Sequence, residues 1–403
     1  MKITKTDIAS LRQGQPPEDP ELLKAMTCGT ELWLDFLIEY YLDNFIKNGG
    51  SKVKFIVGSE GCGKTHILKF IRNEAVQRGY QCIHISLFDL EKRVADIVQL
   101  YRAFAANVDH QELQNGLCRR VGQELGYSED VYSGTEPILP ILVEQEGLSR
   151  MEARREIRRI VAMLLRNSDL SPSFSVFAAT LLAEHLIGEE RGLLEICWKW
   201  FRGEKLDRME KRRSKLYDRL TRANARVWLY SLIRLVRLSG SSGLVLLLDN
   251  LEAMTQRDPE THRYRYTPNA IKDTCELFRQ LIDAADLLEY FIAMMAGRTE
   301  ILSDERRGLK SYEALWMRLQ TGIISSERFN PFTDIVHCDQ MIEEKGGEDE
   351  LAKEIDSKLR KILYDNGYIF HYSDTPPLST HSQLRKRIAE VAQMARTNGG
   401  ENA

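Results

Sequence analysis

The chain has 403 residues, 43% of them apolar, which is enough for a sizeable core and leaves room for about two or three domains. Its 56 basic and 59 acidic residues give a net charge of −3, so no charge excess advertises a nucleic-acid binder and any such site must be a local patch. The seven cysteines (28, 62, 82, 118, 197, 275 and 338) contain no C-x-x-C pair. Reduced thiols are therefore expected, and no zinc site. With no signal peptide and no apolar run of membrane-spanning length, the expected location is the cytoplasm, without membrane contact.

Residues 1–50 read as an N-terminal helical segment. A Pro-rich loop enters a first helix, and Glu31–Ile46 (ELWLDFLIEYYLDNFI) shows helical periodicity with a broad apolar face. Gly49 and Gly50 then release the chain into a strand at Val53–Val57 (VKFIV). The pattern G-x-x-x-x-G-K-[ST] follows at Gly58, Gly63, Lys64 and Thr65, with an apolar-periodic helix behind it. Gly58, Gly61 and Gly63 are expected to let the backbone adopt conformations that a Cβ disfavours. The loop, with Ser59, Glu60, Cys62 and His66, then turns its N–H groups onto phosphate oxygens, and the helix adds its own free N–H groups. Lys64 is expected to reach the β- and γ-phosphates, and Thr65 to offer its hydroxyl to Mg²⁺. Cys62 reads either as an oxidation-sensitive thiol or as loop filler.

A second strand is expected at Gln81–Phe88, closing a first part of the core at 51–108. Strand signals then vanish. The segment 109–240 reads as a helical insertion that folds on itself, ending in a long charged helix that Leu238–Gly243 (LSGSSG) breaks. Within it, Phe201–Arg226 and Arg150–Val161 are dense in Lys and Arg. Each can be a DNA-backbone contact or a solvated helix face, and the insertion can equally bind a partner protein. Trp198, Trp200 and Phe201 read as core rather than as base-stacking platforms.

The core resumes at 241–338. Leu244–Asn250 (LVLLLDN) is a continuous apolar run ending in an acid, the pattern of a parallel strand buried on both faces. Asp249 is the expected carboxylate opposite Thr65 on Mg²⁺. The next residue is Asn250, which can orient a water but cannot accept its proton. Glu252 can supply a carboxylate if the turn points it inward; otherwise it is a surface glutamate opening a helix. A strand at Tyr290–Ala296 is expected to lie between the loop strand and the Asp249 strand, so Arg298 and Thr299 at its end are candidates for sensing a γ-phosphate. A short strand at Ile335–Cys338 completes five. The region 339–403 reads as helical, with a loop at 373–381, a basic helix at 382–396 and a frayed tail; Arg385 or Arg387 can reach a nucleotide from such a lid. The whole is α/β: a five-stranded parallel P-loop (ASCE/AAA+-like) sheet with a large helical insertion and a helical C-terminal region.

The stretch 49–80 (GGSKVKFIVGSEGCGKTHILKFIRNEAVQRGY), followed by LYRAF at 100–104 and LLLDNLEAM at 246–254, resembles the ATP-binding proteins of BREX-type bacterial phage-defence systems, within the wider AAA+-like ATPases. The resemblance covers roughly residues 10–110 and, more loosely, 240–300. It implies ATP and Mg²⁺ as cofactors and an ATPase partnered with a helicase or other effector, with homo-oligomer formation expected. Gly58, Gly63, Lys64, Thr65 and Asp249 carry over; Asn250 departs from the acid usual there, which points to slow or partner-triggered turnover. The alternative is a nucleotide-dependent binding module with little hydrolysis. A small-molecule kinase finds no acceptor-site signature, and no N-K-x-D specifies guanine, so adenine is the default.

Overall fold

The computed structural model describes residues 3–89, 94–188, 192–323, 332–370 and 383–397. The expected loop at 373–381 and the tail beyond 397 lie outside them. Five strands form one parallel sheet: β1 (Ser51–Gly58), β2 (Tyr80–Ser86), β3 (Gly243–Asp249), β4 (Phe291–Arg298) and β5 (Ile335–His337). Their order across the sheet is β2-β3-β4-β1-β5. β4 thus lies between β1 and β3, as expected, paired with β1 from Ser51↔Phe291 to Gly58↔Arg298 and with β3 from Leu244↔Phe291 to Leu248↔Met295. This register brings Gly58, Asp249 and Arg298 to one edge of the sheet.

The central strands are apolar on both faces because both are covered. Alternate residues serve the two sides. Phe55, Val57, Leu246, Leu248, Ala293 and Met295 enter the core shared with the insertion. Ile56, Val245, Leu247, Met294 and Ala296 enter a second core, with the loop helix Lys64–Gln77 and the N-terminal helices. A third core joins the two ends of the chain: Ile8, Leu11, Leu22 and Met26 pack with Leu359, Leu363, Val391, Ala392 and Ala395.

Between β2 and β3 the insertion forms helices that include Ile97–Asn107, His110–Glu124, Arg150–Arg166, Pro172–Ile187, Leu193–Phe201 and Ala225–Leu238. Trp198, Trp200 and Phe201 are buried in its core, as expected. The long charged helix does not form. The helix from Leu193 ends at Phe201, Gly203 turns the chain at φ +73°, and a capping box between Asp207 and Glu210 starts a seven-residue helix, Arg208–Ser214. Lys215 stops that helix in the left-handed region at φ +63°.

Two further features lie beyond the sequence reading. The helix expected over Glu31–Ile46 is an α-helix only over Thr30–Phe36; Leu37–Phe45 is π-helical, with Ile46 N–H donating to the Tyr41 carbonyl five residues back at 2.8 Å. In the C-terminal region β6 (Tyr368–Phe370) pairs antiparallel with β7 (Ala395–Thr397). Among the described residues no helix is long and apolar enough to cross a membrane.

Candidate functional site

A cavity of about 500 Å³ opens at the carboxyl ends of the strands. Its polar wall carries Glu60, Gly61, Cys62, Gly63, Lys64, Thr65 and His66 from the glycine-rich loop and helix start, with Asp249, Asn250, Glu252, Arg298 and Arg385. Its apolar wall comes from the two ends of the chain: Met26, Leu32 and Trp33 on one side, Met341, Ile342, Leu384 and Ile388 on the other. Thr299 is exposed and does not line it.

The loop glycines differ in their reasons for being glycine. Gly61 and Gly63 lie at φ +81° and +99°, the left-handed region where a Cβ is strained. Gly58 does not, contrary to the expectation from its motif position. Its constraint is space: a Cβ there would lie 2.7 Å from Cys62 Sγ and 2.9 Å from Cys338 Cβ. Lys64 is buried, and its ammonium donates to the carbonyls of Gly58 (2.9 Å) and Ser59 (2.6 Å). Ser59 is held from below by Asp339, whose carboxylate accepts from the Ser59 N–H at 2.9 and 3.0 Å and from its hydroxyl at 2.8 Å. Sequence reasoning missed Asp339. Its position just past the last strand, at the same sheet edge, was the available signal. Burial, with the charge of Lys69, pushes the His66 imidazole down to about 4, and its Nε2 lies 2.9 Å from Thr27 Oγ1, tying the N-terminal segment to the loop helix.

Asp249 ends β3 buried, 4% exposed, with Oδ1 accepting from Asn250 N–H at 2.8 Å and Oδ2 3.7 Å from His84 Nε2. Asn250 is left-handed (φ 61°, ψ 48°), and its side-chain oxygen accepts from Ser86 Oγ at 2.8 Å on neighbouring β2. Glu252 lies on the one-turn 3₁₀ helix Leu251–Met254, buried and among the residues lining the cavity. It accepts from the Arg298 N–H at 3.3 Å. The Arg298 guanidinium bridges two acids: an N–H₂ group lies 2.5 Å from Glu60 Oε2, and Nε lies 3.9 Å from Glu252 Oε1 without a hydrogen bond. Arg385 packs against Gly14 at the rim and donates to the Gln13 carbonyl at 3.5 Å. Arg387 is instead engaged with Asp356 and Glu390. The basic stretch Arg150–Val161 has the internal pairing its spacing allows, Glu156 holding Arg159.

Fold and cavity together define a parallel α/β protein with a cavity at the carboxyl edge of its sheet, where a glycine-rich loop, a helix start and an acidic strand end meet. The chain belongs to the family of BREX system ATP-binding proteins BrxC/D, whose model matches residues 1–345. Membership carries an ATP-binding role in a phage-defence system. Searches of curated proteins and of solved structures find no match. Residues beyond the matched region, among them Leu351, Ile355, Leu384, Arg385 and Ile388, help line the cavity.

Proposed function

We propose that the protein is a Mg²⁺-dependent P-loop ATPase of the ASCE/AAA+-like type, turning over slowly or when triggered by another component of the defence system. The observation that carries this reading is the convergence of Lys64, Thr65, Asp249 and Glu252 on one cavity of ligand size. The strand order supports it, because it sets the glycine-rich loop and the Asp249 strand on either side of β4. The Thr65 hydroxyl and the buried Asp249 carboxylate are hard oxygen donors of the kind Mg²⁺ takes. When bound, the metal neutralises phosphate charge. Lys64 then exchanges the Gly58 and Ser59 carbonyls for phosphate oxygens, and the amides of the loop and helix start bind the rest. The apolar wall around Trp33 and Leu384 takes the adenine base, and Arg385 closes the rim.

Glu252 is the carboxylate that activates water in this reading. It is buried on the cavity, whereas the Asn250 side chain is turned to Ser86. Arg298 serves the γ-phosphate after leaving Glu60, while the exposed Thr299 stands further from the chemistry. A helicase-type effector, DNA held through the Arg150–Val161 helix, and further copies of the chain are the partners proposed, in the cytoplasm. The Arg298–Glu60 pair favours one second reading, a nucleotide-dependent binding module that stays closed to hydrolysis.

ATP binding and phosphate release, measured with Mg²⁺ and with DNA and partner proteins added, separate the two. Lys64→Ala is expected to weaken ATP binding about tenfold or more, since charge-assisted hydrogen bonds are each worth about 1.5–3 kcal/mol. Glu252→Gln is expected to bind ATP and lose turnover. Unchanged turnover in Glu252→Gln removes it as the base, and no turnover by the wild type under any of these conditions establishes the binding module.

A further inference from the structure

We propose that Cys62 and Cys338 form an oxidative modification site: a thiol pair that closes to a disulfide between the glycine-rich loop and the corner after β5. The pairing Val57↔His337 sets Gly58 beside Cys338, and the loop folds Cys62 back over the same point. A Cβ on Gly58 would lie 2.7 Å from Cys62 Sγ and 2.9 Å from Cys338 Cβ, so the two side chains converge where Gly58 has none. Lys64 Nζ lies 3.6 Å from Cys62 Sγ. Both cysteines are buried from bulk solvent yet border the cavity, which admits a molecule the size of hydrogen peroxide.

The chemistry separates this pair from the other thiols. The neighbouring Cys338 thiol and the Lys64 ammonium hold Cys62 below the usual thiol range, while Cys338 is held above it. Burial pushes Cys28 up to about 11 and Cys82, Cys197 and Cys275 up to about 12, which keeps them unreactive. The Cys62 thiolate attacks one oxygen of hydrogen peroxide, giving a sulfenic acid and hydroxide. That hydroxide takes the Cys338 proton and becomes water, the Cys338 thiolate attacks the Cys62 sulfur, and the sulfenic oxygen leaves as a second hydroxide, which becomes water by taking up the proton that Cys62 gave up on ionising. Two thiols lose two electrons in total, and one peroxide becomes two waters.

The consequence for nucleotide rests on the ATP reading above. A bond at Cys62 restrains the loop between Gly61 and Gly63 in the arrangement that has Lys64 folded onto the Gly58 and Ser59 carbonyls. Hydrogen peroxide added to the full chain, followed by non-reducing peptide mass spectrometry and ATP titration, tests both steps. Expected are a peptide pair linked through residues 62 and 338, its absence in Cys338→Ser and after dithiothreitol, and ATP affinity lowered about tenfold in the linked protein. The linkage is read in wild type alone should Cys338→Ser not fold. Cys62 recovered as a sulfinic acid unlinked to Cys338 overturns the proposal, as does a linked protein whose ATP affinity stays within about twofold of the reduced one. A linked peptide in a protein that binds no ATP even when reduced supports the thiol pair and counts against the ATP reading.

Discussion

Asn250 sits where β3 hands the chain to the Leu251–Met254 turn, and its backbone there is left-handed, a conformation Asn tolerates better than most residues. Its side chain is spent on Ser86. The turn and the Ser86 bond therefore account for an asparagine at this position. A glutamate at 250 costs about 1–2 kcal/mol for the left-handed backbone and loses the Ser86 bond. Asn250→Glu is accordingly expected to lower unfolding stability in urea by that amount without raising phosphate release, and Asn250→Gly, free of the Cβ penalty, to lose less. An Asn250→Glu protein as stable as wild type that hydrolyses ATP faster would return the catalytic position to 250. The same scale shows what a motif conceals. Gly58 belongs to the pattern read at 58–65, but only coordinates reveal that Cys62 and Cys338, far apart in sequence, are what exclude a side chain from it.

Elements were legible where one residue's neighbours decide its state. β3 reads as a double-sided strand because Leu244–Leu248 are all apolar, and both covering layers exist. The charged stretch after Phe201 misled because Lys, Arg and Glu favour helix locally, whereas Gly203 and Lys215 turn left-handed to let Trp200 and Trp228 meet at 4.3 Å between ring centres. Tertiary packing overrode propensity there. Gly116 offers a test in which the two pull in opposite directions. In mid-helix, Gly→Ala ordinarily stabilises by about 1 kcal/mol. Here the new Cβ would lie 2.2 Å from the Ser239 carbonyl oxygen, at the end of the helix Ala225–Leu238 that leads into β3. Gly116→Ala is expected to destabilise by about 1–3 kcal/mol through overpacking, seen as a lower urea midpoint. A gain in stability would mean the two helices separate freely.

At the scale of the molecule, the two ends of the chain pack into one core, and that core reaches the apolar wall of the cavity at Met26 and Ile388, while Trp33, Met341, Ile342 and Leu384 belong to the second core on the sheet. Sequence could not announce this, because the pairing of Leu11 and Leu22 with Leu359 and Val391 is set by topology and leaves no periodic trace. The cavity is thus lined from both cores, so ligand affinity depends on how the terminal core is held to the sheet layer. Polar links between them include Thr27 on His66, Lys24 on Glu74, and Lys69 on Glu18 and on the Pro16 carbonyl. Leu359 lies fully buried at the centre of the third core, away from the cavity lining. Leu359→Ala is expected to cost about 2–5 kcal/mol, and the loss should be felt on both sides of the join. Hydrogen exchange should accelerate together in Lys5–Arg12 and in Gln383–Met394, while β3 and β4 keep their protection. ATP affinity should fall although no residue lining the cavity has changed, since Met26 and Ile388 in its apolar wall are then ordered only at a cost to binding. Faster exchange confined to the C-terminal helices, with Lys5–Arg12 unchanged, would show that the N-terminal helices are held by the sheet alone.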